Sequence, residues 1–430
     1  MSREMKDSGI EWVGKIPVSW SIKKLNAFYS RKTIKNHPNE RVLSVYREYG
    51  VIPKDSRSDN HNVTSENTSA YLLVQPTNLV VNKMKAWQGS MGISNHQGIV
   101  SPAYFVYQET AVPRERRFFH YLLRSNIYAQ EFRRLSRGMR EGQWDLTAYD
   151  FERTPIIVPP LLEQQQIATF LDIKCSQIDR LSDNIKQQIE ELGEYKKALI
   201  TQAVTKGLDP DVEMKDSGIE WIEEIPVSWV IKKLNAFYSR IAIKNHPNER
   251  VLSVYREYGV IPKDSRSDNH NVTSENTSAY LLVRPTNLVV NKMKAWQGSM
   301  GISNHKGIVS PAYFVYQETA MPRERRFFHY LLRSSIYAQE FKRLSSGMRE
   351  GQWDLPAYDF ERTPIIVPPL LEQQQIAAFL DTKCSQIDAL IQTKNEMLDM
   401  LQDYKKSLIF DYVTGKREVP TLYRKDGCHE

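Results

Sequence analysis

Cysteine is scarce: Cys175, Cys384 and Cys428 are the three in 430 residues. None stands in a CxxC pair, so neither a disulfide framework nor a thiolate zinc site is supported. That usage fits a reducing cytosol. No apolar run reaches the ~18 residues of a membrane span, and the opening MSREMKDSGIEW lacks the apolar centre of a signal peptide. No G-x-x-x-x-G-K-[ST] loop and no HExxH pair occur, and no G-x-G-x-x-G follows a strand-like run. A G-x-S-x-G elbow is missing as well. The Pro-Pro pairs, Pro159-Pro160 and Pro368-Pro369, each follow valine, so the Asn/Asp-Pro-Pro-aromatic motif of an amino-methyltransferase is absent. Nine histidines occur, and none sits at ligand spacing. Asp172-Ile173-Lys174 and Asp381-Thr382-Lys383 mimic the end of a nuclease motif, but a charged pair within a helix is ordinarily a solvated face. These absences argue against a nucleotide-driven, hydrolytic or metal-dependent enzyme and against a membrane protein.

What is present is said twice. Residues 5–181 recur as 214–390, with roughly 16 of about 177 aligned positions changed. Met5-Lys6-Asp7-Ser8-Gly9-Ile10-Glu11-Trp12 returns from Met214 to Trp221, and Lys83-Met84-Lys85-Ala86-Trp87-Gln88-Gly89 from Lys292 to Gly298. The period is too long for a solenoid repeat and is the size of a domain. Lys and Arg outnumber Asp and Glu by 58 to 51, a net charge of +7, which favours an anionic partner, nucleic acid first. Two copies of one basic domain suit a target with two-fold symmetry, as duplex DNA has.

Each repeat has two parts. In residues 1–158, β-branched and aromatic runs predict strands: Arg41–Tyr46, Leu79–Val81, Ile99–Tyr107 and a last one over Phe151–Val158. Phe118, Phe119, Leu122, Leu123, Ile127, Tyr128 and Phe132 recur at helical spacing, which predicts one or two helices between Arg116 and Leu135. This part reads as a mixed α+β domain. The second part, 159–206, opens on Pro159-Pro160, with Glu163 in the first turn at the positive end of a helix dipole. Leu171, Ile178, Ile185, Leu192 and Leu199 recur every seven residues. Ile167, Leu181 and Tyr195 fall on a companion position that Lys174 and Gln188 interrupt, an imperfect coiled-coil seam. In the second copy, 207–367 carries the linker and repeated domain, and 368–416 the second helix. Its seam is Leu380, Ile387, Leu401 and Leu408 with Ile376, Leu390, Met397 and Tyr404; Lys394 stands where Ile185 would. Forty residues make a rod of roughly 60 Å. If a two-fold axis relates the copies, the rods run antiparallel and hold their domains at opposite ends. The tail, 417–430, reads as polar and loosely ordered.

Two groups of residues suit contact with DNA. Lys83 and Lys85 can hold phosphates and Gln88 can pair with adenine, with Trp87 beside them. Gly89 lets the backbone turn. The same stretch also reads as a strand-to-loop junction with Trp87 in the core. Arg133, Arg134, Arg137 and Arg140, followed by Gln143, form a second basic group, or else a solvated helix end. Arg114, Arg116 and Arg117 read as exposed surface. The second copy keeps Lys292, Lys294, Trp296, Gln297, Arg349 and Gln352, whereas Arg137 becomes Ser346 and Gln75 becomes Arg284. If both copies read the same bases, Arg137 and Gln75 are not base readers.

The run Pro-Pro-Leu-x-Glu-Gln-x-x-Ile-Ala-x-Phe-Leu-Asp occurs at 159–172 and 368–381. Together with Ser8–Trp12, Ile16–Trp20 and Gly98–Tyr104, it resembles the specificity subunits of Type I restriction-modification enzymes across essentially residues 5–416. The resemblance implies two target recognition domains, each binding half of a split site on double-stranded DNA, and two helices forming an antiparallel ruler. It implies no cofactor and no catalysis in this chain. Two methyltransferase subunits using S-adenosylmethionine would dock on it, and two motor-nuclease subunits using ATP and Mg where restriction is present. The target adenine would flip into the partner's pocket. Family members normally carry dissimilar recognition domains; near-identity here implies an inverted-repeat site. The competing readings are a fused enzyme, a coiled-coil scaffold that binds no DNA, and the specificity subunit of a methylation-only or other phage-defence system.

Overall fold

The computed structural model describes residues 3–423 apart from 48, 57–63, 66, 139–143, 257, 266–272, 275 and 348–352. Two compact units divide the chain, one of residues 1–185 with 396–430, the other of residues 186–395.

In the first unit, a four-stranded antiparallel sheet orders Tyr29–Lys32, Tyr104–Glu109, Leu79–Asn82 and Met91–Ile93 side by side. Its register pairs Val106 with Val80 and Lys32, and Tyr107 with Leu79 and Arg31. Successive side chains point to opposite faces. Val80 and Val106 therefore join Leu43, Val45, Val51, Leu72 and Val74 in a small cluster on one face. Leu79, Val81, Tyr107 and Tyr29 turn to the other face and join the main core. Helices α1 (Arg116–Arg124), α2 (Asn126–Leu135) and α3 (Ala148–Arg153) cover that second face. The Glu115 carboxylate caps α1 by accepting from Arg117 N, and the Thr147 hydroxyl caps α3 by accepting from Asp150 N.

Three expectations need adjusting. The run 99–107 is two strands, Gly98–Val100 and Tyr104–Glu109, because Ser101-Pro102-Ala103 breaks it. Residues 151–153 belong to α3, and the last strand is Pro155–Val158 alone. Arg114 is not surface: its side chain is 4% exposed. Its guanidinium donates to the Thr110 and Val112 carbonyls and lies over the Phe28 and Tyr29 rings. Stacking and carbonyl acceptors stand in for water around this charge.

Helix α4 (Leu161–Lys206) is 46 residues long. In the first unit its N-terminal part packs into the core through Ile167, Ala168, Leu171 and Ile178, beside Leu408 and Tyr412 of helix α8 (Leu370–Val413). Phe170 meets Tyr412, while Asp179 takes a salt bridge from Lys405 at 2.6 Å. One number rises as the other falls, so the helices run antiparallel. The second unit repeats this with Lys196 on Asp388 at 2.6 Å and Lys394 donating to Gln188. Its core takes Ala203 and Val204 from α4 and Ile376, Ala377 and Leu380 from α8.

The seam follows the predicted heptads at one position and departs at the other. Leu171, Ile178 and Ile185 are buried, but Leu181 and Tyr195 are half exposed, as are Leu390, Met397 and Tyr404. The companion position is instead Cys175, Ser182, Ile189 and Lys196, and in α8 Cys384, Ile391, Leu398 and Lys405. Polar and ionic members disguise it, because Lys196 and Lys405 pass their stems across the seam and end on carboxylates. The tail differs too: Val419 is buried in the first core and Tyr423 packs edge-on against Phe170.

In the second unit the domain repeats, with α5 (Arg325–Arg333), α6 (Ser335–Leu344) and α7 (Ala357–Arg362) in the places of α1 to α3. Pro356 stands where Thr147 capped α3, and α7 has no side-chain cap.

Candidate nucleic-acid interface

Leu79–Asn82 ends in a tight turn. Asn82 Oδ1 accepts from Met84 N, Lys85 N bonds to the Asn82 carbonyl, and Ala86–Gln88 makes one 3-10 turn. The turn closes on Gly89 at φ +75°, a conformation that a side chain disfavours. The outcome is a short presented segment. Lys85 is exposed, while Lys83, Trp87 and Gln88 are half-buried. The Lys83 ammonium lies 5.9 Å from the Phe105 ring centroid. Trp87 is neither core nor free surface, since its indole N–H donates to the Met84 carbonyl at 3.1 Å.

Distant sequence completes this surface. Trp144 meets Trp87 edge-on, ring centroids 5.1 Å apart, and the Arg133 guanidinium lies 5.2 Å over Trp144. Leu146 N donates to the Lys83 carbonyl at 3.0 Å, and Arg137 and Asp145 exchange backbone bonds of 3.1 and 2.9 Å. Arg133 and Arg137 of the second group thus lie beside the Lys83–Gln88 turn, with the tryptophan pair between. Arg140 and Gln143 lie outside the described residues, as do Arg349 and Gln352. Arg134 belongs to a different arrangement: its Nε and Nη2 donate to the two carboxylate oxygens of the buried Glu131, which neutralises its charge.

The second copy builds the same surface. Trp296 and Trp353 stand 5.2 Å apart, Lys342 replaces Arg133 over Trp353 at 5.5 Å, and Lys292 lies 5.9 Å from Phe314. Leu355 N bonds to the Lys292 carbonyl, as Leu146 does to that of Lys83. Lys294 is exposed and Gln297 half-buried. Sequence reasoning passed over Trp144 and did not single out Arg133 within its basic group. The available signal was the Arg133-to-Lys342 exchange, which keeps a cation where Arg137 is lost to Ser346.

A surface of cations, an amide and ring edges can hold phosphates and probe bases. His120 and His329 add nothing reactive to it. His120 is held down at about 3 by burial and by the Arg124 guanidinium beside it, so its ring is neutral. His329 repeats this with Arg333. Among the described residues, no cluster of three or more His, Cys, Asp or Glu could hold a metal ion, and no helix is long and apolar enough to cross a membrane.

The chain matches the family described as Type I restriction modification DNA specificity domain over residues 29–191 and again over 231–400. It is 28% identical over 301 residues to the Type I restriction enzyme MjaVIII specificity subunit of Methanocaldococcus jannaschii, covering 63% of this chain. It spans 64% of the length of that relative. A chain in a solved structure on complex assembly and conformational transition of the type I R-M system shares the fold: TM-score 0.67 at 14% identity, covering 94% of this chain and 99% of that one. The HsdS subunit from Thermoanaerobacter tengcongensis aligns with TM-score 0.49 and 16% identity over 94% of this chain and 98% of its own.

Proposed function

The chain belongs to the Type I restriction-modification DNA specificity family, and from that membership we propose that it is the non-catalytic subunit that reads DNA for a cytoplasmic Type I complex. Each repeat reads one half of a split site with the face of Lys83, Lys85, Trp87 and Gln88, or Lys292, Lys294, Trp296 and Gln297. Arg140, Gln143, Arg349 and Gln352 are further contact candidates on sequence grounds alone. Residues 1–158 and 207–367 act as the recognition domains; 159–206 and 368–416 act as the spacer helices on which two methyltransferase subunits, and two restriction subunits where present, assemble. The observation that carries this reading is the duplicated basic face with its tryptophan pair. Because the two presented turns, 83–89 and 292–298, are identical in sequence, the site is an inverted repeat around a non-specific spacer.

The test is the adenine methylation map of DNA from cells that co-express the chain with its methyltransferase subunit. An interrupted palindrome modified on both strands is expected. Two unrelated half-sites would overturn the inverted repeat. Unmodified DNA, with the methyltransferase shown to be active alongside another specificity subunit, would overturn the DNA-reading role.

A further inference from the structure

Asp172 looked like an idle charge on a helix face, but it holds the recognition domain to its helix. Its Oδ2 accepts from Arg117 Nη1 at 2.7 Å and its Oδ1 from Tyr121 Oη at 2.8 Å, both from α1. Two helical turns earlier on α4, Gln164 Oε1 accepts from Glu115 N at 3.0 Å while its Nε2 donates to the Pro159 carbonyl at 2.8 Å. Between these points the contact is apolar, with Phe118 and Leu122 in one core with Ile167, Ala168 and Leu171. Apolar packing is non-directional and tolerates a shift. A carboxylate that takes two donors with opposite oxygens does not. At 39% and 50% exposure, the Asp172–Arg117 pair contributes little to stability. Its geometry is nonetheless reproduced in the second unit, where Arg326 and Tyr330 each reach Asp381 at 2.8 Å and Gln373 accepts from Glu324 N at 3.0 Å. Residues 169 and 173, which flank the carboxylate's turn, differ between the copies, whereas the five polar partners do not.

We propose that Asp172 and Asp381 are positioning residues that fix the axial register of each recognition domain on its spacer helix, and so set the spacer length the protein accepts. The proposal rests on the DNA-reading role above. One base pair advances DNA by ~3.4 Å per strand and one helical residue by ~1.5 Å. A slip of two or three residues therefore moves a half-site by about one base pair. The latch separates two properties: the bases read belong to the basic face, the gap between them to the carboxylates.

The test uses the full complex with its methyltransferase subunit and duplexes that keep both half-sites while the spacer varies by one or two base pairs. In Asp172→Ala/Asp381→Ala, the preference for the native spacer over one a base pair longer or shorter is expected to fall by about tenfold, roughly threefold from each of the two exposed latches. Base preference within the half-sites stays unchanged. Tyr121→Phe/Tyr330→Phe removes one of the two bonds and is expected to relax the spacer less; it decides the matter should the aspartate variant not fold. A spacer preference as strict as wild type, or an equal loss on every spacer, would overturn the latch while leaving the recognition role standing. A wild-type complex indifferent to both half-sites would overturn the recognition role and the latch together.

Discussion

Lys85 and Lys294 are the most exposed cations of the two presented turns, and single residues of this kind can be tested separately from the fold. A phosphate-binding lysine releases about one counterion on binding. Lys85→Ala/Lys294→Ala is expected to lower the slope of log affinity against log salt by about two, and to weaken binding on every sequence alike. Titration of a labelled duplex over several salt concentrations checks this. Gln88→Ala/Gln297→Ala should instead narrow the gap between cognate and non-cognate DNA, with the salt slope unchanged. His120 gives a pH prediction. Its ring has an ordinary value of 6.5 and is depressed to about 3 in the fold, so the unfolded chain binds the proton first. The stability that depends on the neutral ring is complete above pH 6.5 and declines as the pH falls towards 3. At pH 5 the loss is at most about 2 kcal/mol per ring. His120→Gln/His329→Gln should flatten the fall of Tm between pH 6.5 and 4; an unchanged curve would show that other groups govern it. The lysines and the glutamine were legible in sequence as polar residues in a strand-to-loop turn. Trp144 was not, because only folding brings it to Trp87.

Elements were legible where their pattern was clean. The strands Leu43–Tyr46 and Leu79–Asn82 and the two helices between Arg116 and Leu135 lie where β-branched runs and helical spacing put them. The boundary errors have local causes: Pro102 divides one strand, and Thr147 starts a short helix that strand-like Phe151 concealed. In α4 and α8 the heptad was visible at its leucine and isoleucine position and hidden at the other, where Cys175, Ser182 and Lys196 sit. Tyr195 and Leu181 have the expected residue type, but they lie on the exposed side. Gly98 shows how tightly one element depends on another. A Cβ there would overlap the Arg41 carbonyl and lie 2.7 Å from Leu43 Cγ. Gly98→Ala is expected to cost about 1–3 kcal/mol through overpacking, lowering Tm by about 2–4 °C per kcal/mol. Gly307→Ala should behave alike, since its Cβ would meet Arg250 and Leu252. Differential scanning calorimetry reads both, and a Tm within a degree of wild type would show that the strand yields.

For the molecule as a whole, the duplication governs what can be expected. Two presented turns of identical sequence call for two equal half-sites, so disabling one turn should leave one half of the methylated motif degenerate and the other intact. Lys85→Ala/Gln88→Ala alone, read by the same methylation map, tests that equivalence; degeneracy in both halves would show that the faces do not act separately. The sequence by itself determined the repeat, the mixed α+β class, the two long helices and the family resemblance, because each is written in local pattern or in a motif of consecutive residues. Only the tertiary structure decided which residues share a face: Trp87 with Trp144, Arg133 over Trp144, Asp172 under Arg117 and Tyr121, Lys405 on Asp179. These contacts join residues tens to hundreds of positions apart, and packing, which depends on shape in three dimensions, leaves no period in the chain from which to read them.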